Sequence, residues 1–290
     1  MKNIFFLARA VEAEEQLIID EAKKHPIEFK LDLYSQLEIS YQDESCQIKD
    51  SAGQDISKYD LIYFRNVGDD SERQAIVSRY CFDHQIAIYD PCFRYQKPWY
   101  NTKSFTYVVL RQNKLPIPTT FFAHPSSWKK FEKRLSYPCI VKATNQHQGQ
   151  GVYLCHNPQE ISRAFDIEKQ SLLLQQYIAN KFDTRIFVIN GQVVGAEKRY
   201  AQKGEFRNNI ALGGRGKKHT PSQEEIELAL KATNLMGYSI SGVDLVYDSS
   251  DSQWKILEVN RGPKFTGLMK ATGINIPQLI IEFFIAQINH

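Results

Sequence analysis

Short apolar runs alternate with amphipathic ones from the first residues onward. Lys2–Ala8 reads as a buried strand. Val11–Lys24 carries Leu17, Ile18, Glu21 and Ala22 as a helical stripe, and Ile27–Leu33 returns to a strand. Asp60–Arg65 is a further strand, ending in the turn-like Asn66-Val67-Gly68. Ser71 caps a helix running to His84, and Ile86–Tyr89 closes the series as a strand. This alternation predicts a parallel sheet with crossover helices, so residues 1–97 form a small α/β domain. Arg65 stands at the carboxyl end of its strand, where open α/β sheets place ligands; a solvated strand-end arginine is the alternative.

Pro98 opens a second unit, residues 98–290. Asn101 caps a helix from Thr102 to Gln112, with Lys103 in the first turn, where a cation opposes the helix dipole. Thr119–Ala123 is a strand, and Ser126 caps a short helix. The strand Tyr137–Lys142 leads into a polar loop holding Gly149 and Gly151, and a second strand follows at Val152. A lysine leading into a glycine loop with free amides suits phosphates, although an ordinary hairpin with a long loop has the same pattern. Asn157-Pro158 starts a helix, and Leu172–Ile178 is a strand. Asp183–Ile189 and Gln192–Arg199 form a hairpin around Asn190-Gly191, a strong turn signal. The segment from Arg185 to Lys218 holds eight Lys or Arg against two Glu, a local charge of +6, which suggests an anionic ligand. Ser222-Gln223-Glu224-Glu225 is a capping box for a helix to Met236, and Thr266–Thr272 and Pro277–Ile288 read as closing helices.

The stretch most suggestive of chemistry is Ser241–Gly267. Two strands flank the turn residues Asp248–Ser252, and pairing centred on residue 251 sets Asp244 opposite Glu258. Asn260 shares a face with Glu258. Like charges directly opposite are unfavourable unless compensated. Two carboxylates and an amide oxygen suit Mg²⁺, which fills its remaining positions with phosphate and water. An exposed acidic hairpin with solvated charges is the competing reading.

Composition narrows the field. Hydrophobic content of 42% and charged content of 24% over 290 residues describe a soluble globular chain, and the net charge of +3 is too small to argue for nucleic acid. Five cysteines form no CxxC pair, so a zinc site or disulfide framework is not expected and a reducing, cytoplasmic compartment fits. No apolar run has membrane-spanning length. The P-loop and GxGxxG motifs are absent.

The ordered set Lys103, Lys142 before a glycine loop, Gln176-Tyr177-Ile178, Asp183-x-Arg185, Phe206-Arg207-x-Asn209, Asp244 and Glu258-Val259-Asn260 resembles the ATP-grasp superfamily. The tail Lys264–Ile274 is similar to its branch of ribosomal-protein glutamate ligases. The resemblance implies an ATP-grasp fold, α/β and α+β, behind an N-terminal α/β domain, with a central lid subdomain at about residues 124–178. It implies ATP and two Mg²⁺ ions, with Mn²⁺ as a substitute. Lys103, Lys142, Gly149 and Gly151 would meet phosphates; Gln176 and Tyr177 would hold adenine through the backbone, and Asp183 the ribose. Arg207, with Asn208 and Asn209, would reach phosphate and the reacting groups, Arg207 as the catalytic cation. Asp244, Glu258 and Asn260 would hold metal. The implied reaction is carboxylate–amine ligation through an acyl phosphate, releasing ADP and phosphate and joining an amino acid to an amine or a peptide. A small carboxylate and an amine are the implied partners; a peptide or protein acceptor and a homo-oligomer are both compatible. No membrane is expected.

Two positions depart from the branch. Gln176 stands where a glutamate is usual. Arg261 follows Asn260 where small residues are common, and could recognise an acidic substrate, as could Arg65, or be a surface charge. A non-catalytic nucleic-acid binder is the rival reading, carried by Gly213-Gly214-Arg215-Gly216-Lys217-Lys218, and a kinase that stops at phosphoryl transfer is another.

Overall fold

The computed structural model describes residues 2–42, 45–94, 102–144, 150–202, 204–208 and 213–288. The chain begins β1 (Lys2–Ala8), α1 (Ala13–Ala22), β2 (Ile27–Leu33), β3 (Glu38–Gln42), β4 (Ser45–Lys49), β5 (Leu61–Phe64), α2 (Ser71–Asp83), β6 (Ala87–Ile88) and α3 (Pro91–Arg94). Strands β2-β1-β5-β6 form a wholly parallel sheet, as the alternation predicts, while β3 and β4 pair as a separate hairpin. Parallel sheets are covered on both faces, and β1 shows it. Phe5 and Leu7 join one apolar cluster with Val77 and Cys81 of α2, whereas Ile4 and Phe6 join another with Ile18 of α1.

The second half runs α4 (Lys103–Gln112), β7 (Thr120–Ala123), α5 (Lys129–Glu132), β8 (Cys139–Ala143), β9 (Val152–Cys155), α6 (Pro158–Glu168), β10 (Leu172–Gln176), β11 (Asp183–Ile189), β12 (Gln192–Tyr200), β13 (Arg215–Lys218), α7 (Gln223–Met236), β14 (Ile240–Asp248), β15 (Gln253–Asn260), α8 (Thr266–Thr272) and α9 (Ile276–Ile288). Two antiparallel sheets result, β7-β10-β8-β9 and β13-β12-β11-β14-β15. The four-stranded sheet has its own core, in which Val141, Leu172 and Leu174 meet Ile161 and Phe165 of α6. It includes β7, upstream of the residues expected for that unit.

The apolar clusters do not stop at residue 97. The cluster around Phe5 continues through Leu110 of α4 into Ala229 and Met236 of α7 and Ile186, Val243 and Ile256 of the five-stranded sheet. The cluster around Phe6 is completed by Ile280 and Phe284 of α9. The last helix therefore covers the first sheet.

Local signals mostly hold. Ser222 and Glu225 close the expected capping box, Asn157 caps α6, and Asn190 and Gly191 both take positive φ in their turn. Some assignments shift by a residue or more. Thr102 rather than Asn101 caps α4, accepting from Phe105 N; Asn101 lies outside the described residues. Asp70 precedes α2, and Trp128 rather than Ser126 precedes α5. The basic segment Arg215–Lys218 is not a free arginine-glycine run but strand β13, paired with β12.

Candidate active site

One face of the five-stranded sheet packs on α7; the other joins α8 and α9 through Phe187 and Ile189 and, beyond them, carries a row of charge. In register across the strands stand Lys218, Glu197, Arg185, Asp244 and Glu258. Signs alternate until the last step, where Asp244 faces Glu258. The expected pairing is present, but by an unexpected route. At the turn the register is Asp248 opposite Gln253, and a bulge at Leu257 brings Glu258 to Asp244.

Asp244 is buried and doubly held. Arg185 donates to both its oxygens, from Nε at 2.7 Å and from a terminal nitrogen at 2.8 Å, and Arg199 approaches to 3.0 Å. Burial alone would raise the Asp244 carboxyl; the two guanidiniums outweigh it and hold the group below its ordinary value. Arg199 also grips Asp183 at 2.6 and 2.9 Å. Asp183, expected at a ribose, is thus buried and paired inside the sheet. Glu197 belongs to the same cluster and was not foreseen. It is 1% exposed, its Oε2 has no hydrogen-bond partner, and burial pushes its carboxyl up against the pull of Arg185 and Arg199.

Glu258 differs. Its side chain is 36% exposed, with Lys103 Nζ 3.9 Å from Oε1. Burial pushes the Lys103 ammonium down; Glu258 opposes this, and the charge of Lys142 adds to it. Lys103, Lys142 and Glu258 therefore share one electrostatic neighbourhood, although they come from α4, β8 and β15. Gly151 takes a positive φ and its carbonyl accepts from Ala143 N, closing the loop after Lys142. Gly149 and Asn209 lie outside the described residues.

Asn260, opposite Gly242, has a buried Nδ2 with no partner. Turned about its last bond, the amide offers oxygen instead. The donors fit Mg²⁺: two oxygens of Glu258, the Asn260 amide, and the lone pairs of Asp244 left over by the arginines, with phosphate and water completing the set. Histidine and cysteine contribute nothing here, and no cluster of three His, Cys, Asp or Glu residues with metal-binding geometry occurs among the described residues.

Other expected site residues are engaged within the chain. Arg207 pairs with Glu205 at 2.7 Å, and that hydrogen bond holds the Glu205 carboxyl at about 2. Asn208 accepts from Ala201 N and donates to Asn180. Gln176 exchanges bonds with Thr119 through its backbone N–H and its side-chain oxygen, and donates to Asp248 at 3.3 Å. Gln176 and Tyr177 line a cleft of about 650 Å³ with Thr119, Arg134, Tyr137 and Pro138. The cation–carboxylate cluster does not line it; Gln176 ties the cleft to Asp248, at the far end of the strand that carries Asp244.

Arg65 and Arg261 require correction as outer clamps. Both side chains are buried. Arg65 donates to Glu15 at 2.8 Å and to the Pro263 carbonyl at 3.1 Å, and Arg261 donates to the Phe64 carbonyl and lies 3.4 Å from Asp90. Each arginine thus reaches across to the segment that carries the other, and together they fasten the first sheet to the chain after β15. A guanidinium, with five fixed donors, suits such a carbonyl-rich junction.

A family model, the RimK-like ATP-grasp domain, matches residues 101–284. The chain belongs to the RimK-like ATP-grasp family. It is similar to the probable alpha-L-glutamate ligase of Shewanella pealeana, 37% identical over 187 residues, covering 62% of this chain and 40% of that protein. The probable alpha-L-glutamate ligase of Haemophilus influenzae is 40% identical over 154 residues, covering 51% of this chain and 50% of the relative. The chain spans about half the length of the curated relatives it matches. Among solved structures, the ATP-grasp ligase PsnB complexed with a phosphomimetic variant of a minimal precursor, Mg and ADP superposes with a TM-score of 0.75 at 18% identity, over 98% of both chains. The macrocyclase MdnC of Microcystis aeruginosa, bound with its precursor peptide, gives 0.73 at 14% identity, over 98% of this chain and 99% of the other. At these identities the likeness is one of fold, and it bears out the mixed α/β and α+β ATP-grasp architecture.

Proposed function

We propose that the protein is an ATP-dependent carboxylate–amine ligase, working through an acyl phosphate. One observation carries the reading: Glu258, partly exposed and 3.9 Å from Lys103, and Asn260, whose Nδ2 has no partner, stand beside the anchored Asp244, with the charge of Lys142 acting on Lys103. That arrangement pairs hard oxygen donors with cations at the seam between two sheets, which is what a triphosphate and its metal need. Bound at Glu258, Asn260 and Asp244, Mg²⁺ would neutralise phosphate charge and align the terminal phosphate. Lys103 and Lys142 would offset the remaining charge and let a substrate carboxylate approach.

The carboxylate oxygen attacks the γ-phosphorus, the bond to the β–γ bridging oxygen breaks, and ADP leaves. The amine nitrogen then attacks the acyl carbon, the bond to phosphate breaks, and the nitrogen sheds a proton. The names of the relatives support glutamate as the first amino acid to try, and the peptide complexes of PsnB and MdnC support a peptide acceptor. Five unpaired thiols suit a reducing cytoplasm.

The test supplies ATP and Mg²⁺ with glutamate and a panel of acidic peptides, and reads nucleotide products and new mass. ADP and phosphate are expected only when acid and amine are both present. Hydroxylamine in place of the amine should trap a hydroxamate of the acid. AMP with pyrophosphate would overturn the reading; ADP release with a stable phosphorylated product and no amide would favour a kinase.

A further inference from the structure

Helix α4 touches β15 at two consecutive residues. Lys103 and Tyr107 are four apart and so share a helix face. Lys103 Nζ stands 3.9 Å from Glu258 Oε1, and Tyr107 Oη donates to the Leu257 carbonyl at 2.7 Å. Leu257 is the bulged residue: Asp244 faces Glu258 and Leu245 faces Ile256, so Leu257 has no counterpart on β14. A bulge bends its strand and re-aims a neighbouring side chain, at the expense of local ladder bonds. A sheltered carbonyl there needs another donor, and Tyr107 provides it.

The same hydroxyl accepts from Gln175 Nε2 at 2.9 Å, and Gln175 also donates to Thr120 Oγ1 at 2.8 Å. Gln175 and Thr120 belong to the four-stranded sheet, the sheet that carries Lys142. Tyr107 is 7% exposed and Gln175 1%, so water competes little for these bonds. A continuous run of hydrogen bonds thus joins the lysine-bearing sheet to the residue next to Glu258. A phenyl ring would fill the same space, so packing alone does not account for the hydroxyl.

We propose that Tyr107 is a positioning residue for Glu258: by holding the Leu257 bulge and accepting from Gln175, it ties the aim of the metal-binding carboxylate to the seating of the four-stranded sheet. This rests on the reading of Glu258 as an Mg²⁺ ligand.

The experiment is equilibrium binding of ADP, with and without Mg²⁺, to the wild type, Tyr107→Phe, Glu258→Gln and the double variant, with thermal unfolding of each. Neither acid nor amine substrate is required. Tyr107→Phe should weaken ADP binding in the presence of Mg²⁺ roughly five- to tenfold, the effect of one sheltered hydrogen bond. It should leave metal-free ADP binding within about twofold. In the Glu258→Gln background it should add nothing, because it acts through that carboxylate. Equal loss with and without Mg²⁺, or a full additional loss on top of Glu258→Gln, would assign Tyr107 to general stability and overturn the proposal. If Glu258→Gln removes the Mg²⁺ enhancement while Tyr107→Phe does not, the relay alone fails. If Glu258→Gln leaves the enhancement intact, the metal reading fails and the relay falls with it.

Discussion

Asp244 and Glu258 face each other across two strands, yet neutralising them should have very unequal structural consequences. Asp244→Asn keeps the shape but places an amide N–H against guanidinium donors at 2.7 and 2.8 Å. Breaking a buried pair from one side costs about 3–5 kcal/mol. Arg199 retains Asp183 as a two-point partner, so only Arg185 loses its carboxylate and the low end applies, about 3 kcal/mol. Glu258 has a half-exposed side chain and one cation at 3.9 Å. A pair of that kind contributes less than about 1 kcal/mol, and Glu258→Gln also removes a like charge opposite Asp244. Its net effect on stability should stay within about 0.5 kcal/mol. Urea and thermal unfolding of the two variants, beside ADP release under ligase conditions, test this. Both should lose turnover, and only Asp244→Asn should unfold early, by several degrees at roughly 2–4 °C per kcal/mol. Equal stability of the two variants would refute the anchored-and-free division of this pair. Near-wild-type turnover in Glu258→Gln would remove it from the metal site.

Lys142→Ala should weaken nucleotide binding by roughly 1.5–3 kcal/mol, tenfold or more, measured by titration with ADP and Mg²⁺; unchanged affinity would make Lys142 an ordinary strand residue. Burial alone would raise the Asp248 carboxyl, but hydrogen bonds from Lys255 and Ser250 hold it at about 2. A lowered carboxylate stabilises the fold above its unfolded value near 4, and that stabilisation fades as pH falls toward 2. Asp248→Asn should therefore cost about 2 kcal/mol at neutral pH, with the gap to wild type closing between pH 4 and 2; a gap independent of pH would point to packing instead. Gly242→Ala would put a Cβ 2.7 Å from Pro263 Cβ and 3.6 Å from Arg185 Nε. It should lose about 1–3 kcal/mol by overpacking, and full stability would show that the segment after β15 yields freely.

Much of the architecture was legible because local signals agree with the fold. The apolar runs of β1, β8, β11 and β14, the Asn190-Gly191 turn and the Ser222 capping box each act over a few residues. Strand β13 was hidden because Arg-Gly-Lys-Lys has no apolar pattern; pairing with β12 makes it a strand. Glu197 was hidden by a bulge. From the turn, Ile189 faces Gln192, and that register continued would set Arg185 opposite Ala196. The irregularity between Phe187 and Val188 moves Glu197 into that place and onto the charged face. Arg65 and Arg261 were misread for another reason. A strand-end arginine looks alike in sequence whether it turns to solvent or inward, and their carbonyl partners lie 198 and 197 residues away.

The charged row also explains why a like-charge pair persists at Asp244 and Glu258. In sequence, the repulsion has one evident remedy, a cation from outside. In the folded chain, Arg185 and Arg199 arrive from β11 and β12 and pair with Asp244. What remains opposite it is the half-exposed carboxylate of Glu258, with a lysine at the limit of ion pairing. A site with both carboxylates free would repel itself in the absence of metal; one with both clamped would have little affinity left to give. On the proposed reading, anchoring one and leaving the other accessible keeps the strand pair stable and leaves Glu258 and Asn260 for a cation that would arrive with phosphate. Holding Glu258 in reach then falls to the bulge at Leu257, which is why a hydroxyl on α4, rather than a further charge, is the partner the geometry supplies there.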